Sequence, residues 1–139
     1  MGLETKSKTI GRFEYRVTQL KLKKARSMFT RLIGMLGPAL GELAAGGKPN
    51  LATAVQALSE RMTDDNLTLV TETFGESTVI DAGDGKLPTL VPAFMETHFA
   101  GHFGEMFQWL AFCIEVNYAD FFDVLSGLGA AVQPAEKAQ

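Results

Sequence analysis

The sequence predicts a mostly helical α+β fold: a small N-terminal β-sheet of two or three strands packed beside four or five helices. Three observations carry this. Around Phe13, Tyr15 and Val17, apolar and polar side chains alternate, the period of a half-buried strand. Over Lys21–Leu36, apolar side chains recur at three- and four-residue steps, the period of an amphipathic helix. The block His98–Leu125 holds six of the ten Phe residues, the one Trp and the one Cys. That much aromatic surface in one segment either closes a core or offers a docking face.

Taken in order, residues 1–8 are polar and are expected to be a flexible N-terminus. The strand signal spans Thr9–Leu20, with Phe13, Tyr15 and Val17 on one face and Arg12, Glu14, Arg16 and Thr18 on the other. Gly11 is either a bulge or a turn after a shorter strand at Lys8–Ile10. A lone strand is unstable, and the best partner is Ser77–Asp81, which precedes the turn-forming Ala82–Lys86. The helix at Lys21–Leu36 carries the stripe Leu22, Ala25, Met28, Phe29, Leu32, Ile33, Leu36, and Gly37-Pro38 ends or kinks it. A short continuation at Ala39–Ala45 runs into the loop Gly46–Asn50.

A second helix is expected over Leu51–Met62, capped by Asn50. A third runs from Asp64 or Asp65 to Phe74, with capping oxygens at Thr63–Asp65 and Gly75 as its stop. After the strand, Leu87–Pro92 leads into a helix over Ala93–Phe99, with Pro92 in its first turn. A break at Ala100-Gly101 precedes a long helix over His102–Val116. Its stripe is Phe103, Met106, Phe107, Leu110 and Ile114, and Trp109 and Phe112 lie off that stripe. A helix apolar on more than one side is buried between layers or docks a partner. Asn117 reads as a corner, Ala119–Leu125 as a last turn or two, and residues 127–139 as a flexible tail. One domain over residues 9–126 results.

The chain has 139 residues and one cysteine, so no internal disulfide supports the fold, and Cys113 reads as a small buried hydrophobe. The first ten residues lack the apolar core of a signal peptide, and no apolar run approaches the roughly 20 residues of a membrane span; a cytoplasmic protein is expected. Charge is uneven. Residues 1–31 carry nine basic groups against Glu4 and Glu14, a net +7, and the rest carries four basic against fourteen acidic groups, a net −10. The helix contributes a basic face of Lys21, Lys23, Lys24, Arg26 and Arg31. Such asymmetry suits an acidic or nucleic-acid partner. It also suits a solvated helix face, or one half of the protein pairing with the other. No zinc finger, helix-turn-helix or RNA-binding signature accompanies it, so nucleic acid is not the favoured partner.

Chemistry has little footing in the residues. His98 and His102, with Glu105 three residues on, are spaced like metal ligands, but Phe99 stands where HExxH needs its Glu and no fourth ligand is in view; no metal site or cofactor is expected. Ala82–Lys86 lacks the strand–GxxxxGK[ST]–helix setting of a phosphate loop. Asp120 and Asp123 have no cleft to make them an acid/base pair, and no nucleophile elbow occurs. A binding protein without catalytic residues is the expectation.

Two blocks carry a resemblance. Phe13–Leu40 joins a strand, a basic amphipathic helix and Gly-Pro-Ala; His98–Phe122 joins an FxGxFGE-like helix to Glu-Val-Asn-Tyr-Ala-Asp-Phe-Phe. Together, over residues 9–125, they resemble the tail assembly chaperones of long-tailed bacteriophages. The resemblance implies a protein of the host cytoplasm that binds the apolar, helical tape measure protein. It would keep that client soluble while tube subunits polymerise, with a frameshifted longer form made in some phages. Apart from the resemblance, an apolar helix exposed in the monomer would make self-association possible. Aromatic anchors supply most of an interface's binding energy. The candidates for partner binding are Phe103, Met106, Phe107, Trp109, Phe112, Phe121 and Phe122, more than half of them also needed by the core. The rival readings are a structural tail or baseplate component retained in the virion, or a basic-faced nucleic-acid or regulatory binder.

Overall fold

The architecture was obtained as a computed structural model. It describes residues 3–37, 56, 59–83 and 85–137, the last stretch as backbone only from residue 121 onward. Three antiparallel strands, β1 (Thr5–Ile10), β2 (Phe13–Thr18) and β3 (Thr78–Asp81), form a sheet in the order β1-β2-β3. Four helices are seen among the described residues: α1 (Leu22–Leu36), α2 (Asp64–Gly75), α3 (Pro92–His98) and α4 (Phe103–Lys137). The α+β, mostly helical class is therefore the one read from the sequence.

Gly11 resolves as a turn. Ile10 pairs with Phe13, so Gly11-Arg12 is a two-residue hairpin loop, and Gly11 has φ of 63°. Glycine at the first loop position with positive φ is what a type II′ turn requires. The strand preceding it is longer than expected: Thr5–Lys8, read as part of a flexible N-terminus, pairs in register from Thr5↔Thr18 onward. The missing signal is physical. On this edge strand the residues opposite the buried Val17 and Tyr15 are Lys6 and Lys8, and Lys8 Nζ reaches over the Phe112 ring at 5.8 Å to the centroid. An aliphatic stem covers the apolar surface while the ammonium stays wet, and inward lysines also deter further strand pairing at the edge. The far side of the sheet is polar, with Arg16 bridging Glu14 at 3.0 Å and Asp81 at 2.8 Å.

Beyond β3 the chain leads into the next helix through a non-helical segment, as the sequence reading expects. Ile80 N–H donates to Pro88 O at 3.0 Å, Leu90 N–H donates to Thr78 O at 3.0 Å, and Val79 bridges Thr89. These bonds satisfy the outer edge of β3 with extended backbone, and α3 begins only at Pro92. Gly75 lies in the last turn of α2, where a β-carbon would approach Leu90 O to 2.3 Å. It is glycine because the next segment crosses at backbone distance. Thr63 caps α2 by accepting from Asn66 N–H at 3.2 Å.

The centre of the molecule is α4. Trp109, Leu110, Ala111, Phe112, Cys113 and Ile114 are all buried in succession, which a helix achieves only when surrounded on every side. The sheet packs on it, as does α2, and α1 docks through Phe29 on Tyr118, ring centroids 5.1 Å apart. The expected corner at Asn117 is absent; the helix passes straight through. The side chain serves instead as a clamp: Asn117 Oδ1 accepts from Leu20 N–H at 2.7 Å, and its Nδ2 donates to Cys113 O at 2.9 Å. Tyr118 OH donates to Ala25 O at 2.8 Å. The helical backbone continues to Lys137, across most of the segment read as a tail. Of the helix expected over 51–62, only Gln56 and residues 59–62 are described, and Gln56 and 59–61 are helical. The continuation at Ala39–Ala45 and the loop Gly46–Asn50 lie outside the described residues.

Candidate functional site

The aromatic block divides at the first turn of α4. Trp109 is fully buried, and its Nε1–H donates to Thr78 Oγ1 at 3.0 Å. Thr78 in turn donates to Phe74 O at 2.9 Å. Phe112 is buried beneath Lys8. Phe107 is half-buried and packs against the core. These three were candidates for partner binding; the fold uses Trp109 and Phe112 internally, because α4 is covered on all sides here and their rings fill the space between it and the sheet. The side chains of Phe121 and Phe122 lie outside the described residues. Phe103 is the exception, 71% exposed at the start of α4.

Phe103 is exposed because of what precedes it. Helix α3 ends at His98, and Gly101, with φ of 78°, redirects the chain before α4. The redirection leaves an open groove of about 390 Å³ between α2, α3 and the start of α4. Met95, Phe99 and Met106 supply its apolar surface, Phe103 stands at one lip, and Thr68 and Thr71 line the α2 wall. Two predicted residues, Phe103 and Met106, thus converge on one concave surface. Met106 is otherwise buried, so it forms the floor rather than a projecting anchor. Pro92 and Ala100 also line it, and the lining is completed by two acidic residues, Glu72 on α2 and Glu96 on α3. Sequence reading missed both. Their one local signal is Glu72's place on the Thr68 side of α2, four residues on.

The basic residues of the α1 region do not line this groove. Lys21, Lys23, Lys24, Arg26 and Arg31 are all exposed along α1, and Lys24 pairs with Glu76 at 3.0 Å. Two residues of the predicted α1 stripe, Leu22 and Ile33, are exposed at 78% and 48%; the core covers only the Met28–Leu32–Leu36 side.

The histidines part company. His98 is half-buried among aromatic rings: Phe13 at 4.9 Å, Phe94 at 5.4 Å and Phe99 at 4.7 Å between centroids. Its Nε2 shares a 2.6 Å hydrogen bond with the Tyr15 hydroxyl. Burial depresses its pKa, with Glu105 opposing and His102 reinforcing the shift. His102 faces solvent 3.8 Å from Glu105. Gly101 separates the two rings onto different elements, so the four-residue spacing does not make a shared face. Among the described residues no group of three metal-ligating side chains comes together. Burial also pushes the Cys113 thiol well above its usual range, and the protonated thiol is a poor nucleophile. Among the described residues no helix is long and apolar enough to cross a membrane.

A family model described as "Phage tail assembly chaperone protein, TAC" matches residues 11–129 of the chain. No curated protein and no solved structure matches it.

Proposed function

Because the chain belongs to the family of phage tail assembly chaperones, we propose that it binds the tape measure protein in the host cytoplasm. There it keeps that client soluble while the tail tube assembles, by binding alone. The observation that supports this reading is Phe103, a large apolar side chain 71% exposed beside an open apolar groove. An unassembled tape measure protein presents amphipathic helices, and a groove of this kind covers a helix by accepting its apolar face. Met95 and Met106 suit such a floor, since thioether side chains adapt to varied surfaces. Release as tube subunits arrive favours a modest contact area over a permanent interface.

Co-expression with the large tape measure protein tests it. With the wild-type chain the client should remain in the soluble fraction and be recovered with it by pull-down. Phe103→Ser should lose the client yet keep the wild-type circular dichroism and melting behaviour, because the side chain is already in water. A client that precipitates equally with and without the wild-type chain overturns the reading. Purified virions should lack the chain; its presence there as a stoichiometric component would favour a structural tail protein instead.

A further inference from the structure

The groove has a charge as well as a shape. Both ionisable groups in its lining are carboxylates, Glu72 and Glu96, and no Lys, Arg or His lines it among the described residues. Both side chains are exposed, and neither has an ion-pair partner among the described residues. Asp65, Thr68 and Glu72 recur along α2 at helical spacing, which extends the acidic wall toward the first turn of that helix. The chain's cations lie elsewhere, concentrated in residues 1–31. Unpaired carboxylates on α2 and α3, two of the helices that bound the apolar floor, are complementary to a ligand with cations on both flanks of an apolar stripe.

Resting on the reading above that a client helix docks here, we infer that the groove selects an amphipathic helix whose apolar face is flanked by Lys or Arg. The apolar face enters between Phe103 and Met95, and the flanking cations meet Glu96 on one side and Glu72 on the other. Rim charges of this kind set partner choice and association rate more than total affinity. The selection is therefore screened by salt, whereas the apolar contact is not.

Two synthetic helical peptides with the same Leu/Phe face, one flanked by Lys and one by Glu, test the inference by fluorescence anisotropy. The Lys-flanked peptide should bind the wild-type chain roughly tenfold more tightly than the Glu-flanked one, with the gap closing as salt is raised. In Glu72→Lys/Glu96→Lys the preference should invert. Both positions are exposed, so the variant should fold, and its circular dichroism checks this. Equal binding of the two peptides, or an unaltered preference in the reversed variant, overturns the inference. So does a preference for the Glu-flanked peptide that disappears in Arg26→Glu, which would place docking on α1. Self-association of the free chain that is lost in Phe103→Ser also overturns it, since a second copy would then fill the groove. A wild-type chain that keeps the tape measure protein soluble, with the reversed variant doing so equally well, sinks this inference and leaves the chaperone reading standing. Failure of the wild-type chain itself sinks the reading.

Discussion

Tyr15 and His98 show how much one buried contact constrains. Tyr15 is fully buried in β2, stacked 6.2 Å from Phe99, and its hydroxyl finds its partner 83 residues away in His98. A buried phenol with no partner would cost about 1–3 kcal/mol, so this bond fixes α3 against the sheet and hence the position of Met95 and Phe99 in the groove. The environment also makes His98 reluctant to charge: desolvation dominates, Glu105 partly opposes it, and His102 adds to it. A histidine whose pKa is depressed by folding binds protons more readily in the unfolded chain, so stability rises with pH wherever the two states differ. The contribution is complete above the ordinary value of about 6.5 and is lost as pH falls below it, through the depressed value. Urea unfolding at about pH 7.5 and about pH 5.5 should show the wild type losing stability on acidification. His98→Gln, which keeps a partner for Tyr15 but does not titrate, should lose measurably less. Parallel losses in the two proteins would show that His98 is not the acid-sensitive group.

At the scale of elements, α2 and the extended segment Pro88–Leu90 are locked by the absence of a side chain. A methyl at Gly75 would meet Leu90 O at 2.3 Å and Met95 Cε at 2.7 Å. The methionine can yield, but the carbonyl belongs to the backbone of Leu90, whose N–H donates to Thr78 O, so shifting it disturbs the segment that covers β3. Gly75→Ala should therefore cost about 1–3 kcal/mol by overpacking, although alanine is the better helix former. The check is a fall in urea midpoint without a change in slope; an unchanged or raised midpoint would mean the crossing relaxes freely. This glycine illustrates what the sequence makes legible. The elements with a one-dimensional period were readable: the alternation Phe13, Tyr15, Val17 gave β2, and the steps through Met28, Leu32 and Leu36 gave α1. Thr5–Lys8 was not, because an edge strand that faces its lysines inward has no apolar alternation. Asn117 looked like a breaker because its hydrogen bond to Leu20 N–H spans 97 residues. The groove was half legible: Phe103 and Met106 stood out in the aromatic block, but Glu72 and Glu96 join them only through the crossing of α2 and α3.

At the scale of the whole molecule, a net +7 over residues 1–31 confronts a net −10 over the remainder, and the question is whether that attraction holds the fold together. The contacts argue against it. Only two ion pairs among the described residues join the halves: Arg16–Asp81, with side chains 39% and 25% exposed, and Lys24–Glu76, at 54% and 59%. Pairs this wet contribute about 0–1 kcal/mol each, whereas burying one large apolar side chain contributes about 1.5–3 kcal/mol. Trp109, Phe74, Leu32, Leu110 and Ile114 are all fully buried in a single cluster. The charge asymmetry is thus free to serve recognition rather than folding. Raising NaCl from low concentration to about 0.5 M should change the unfolding free energy by less than about 1 kcal/mol. Over the same range, binding of the Lys-flanked peptide should weaken severalfold. Losing several kcal/mol of stability in salt would reverse this assignment: the basic hairpin and α1 would then be held on by the acidic half, and removing their charge would unfold the protein before it altered any partner. The two measurements need only the folded wild-type chain, so they separate a surface that recognises from a surface that merely coheres.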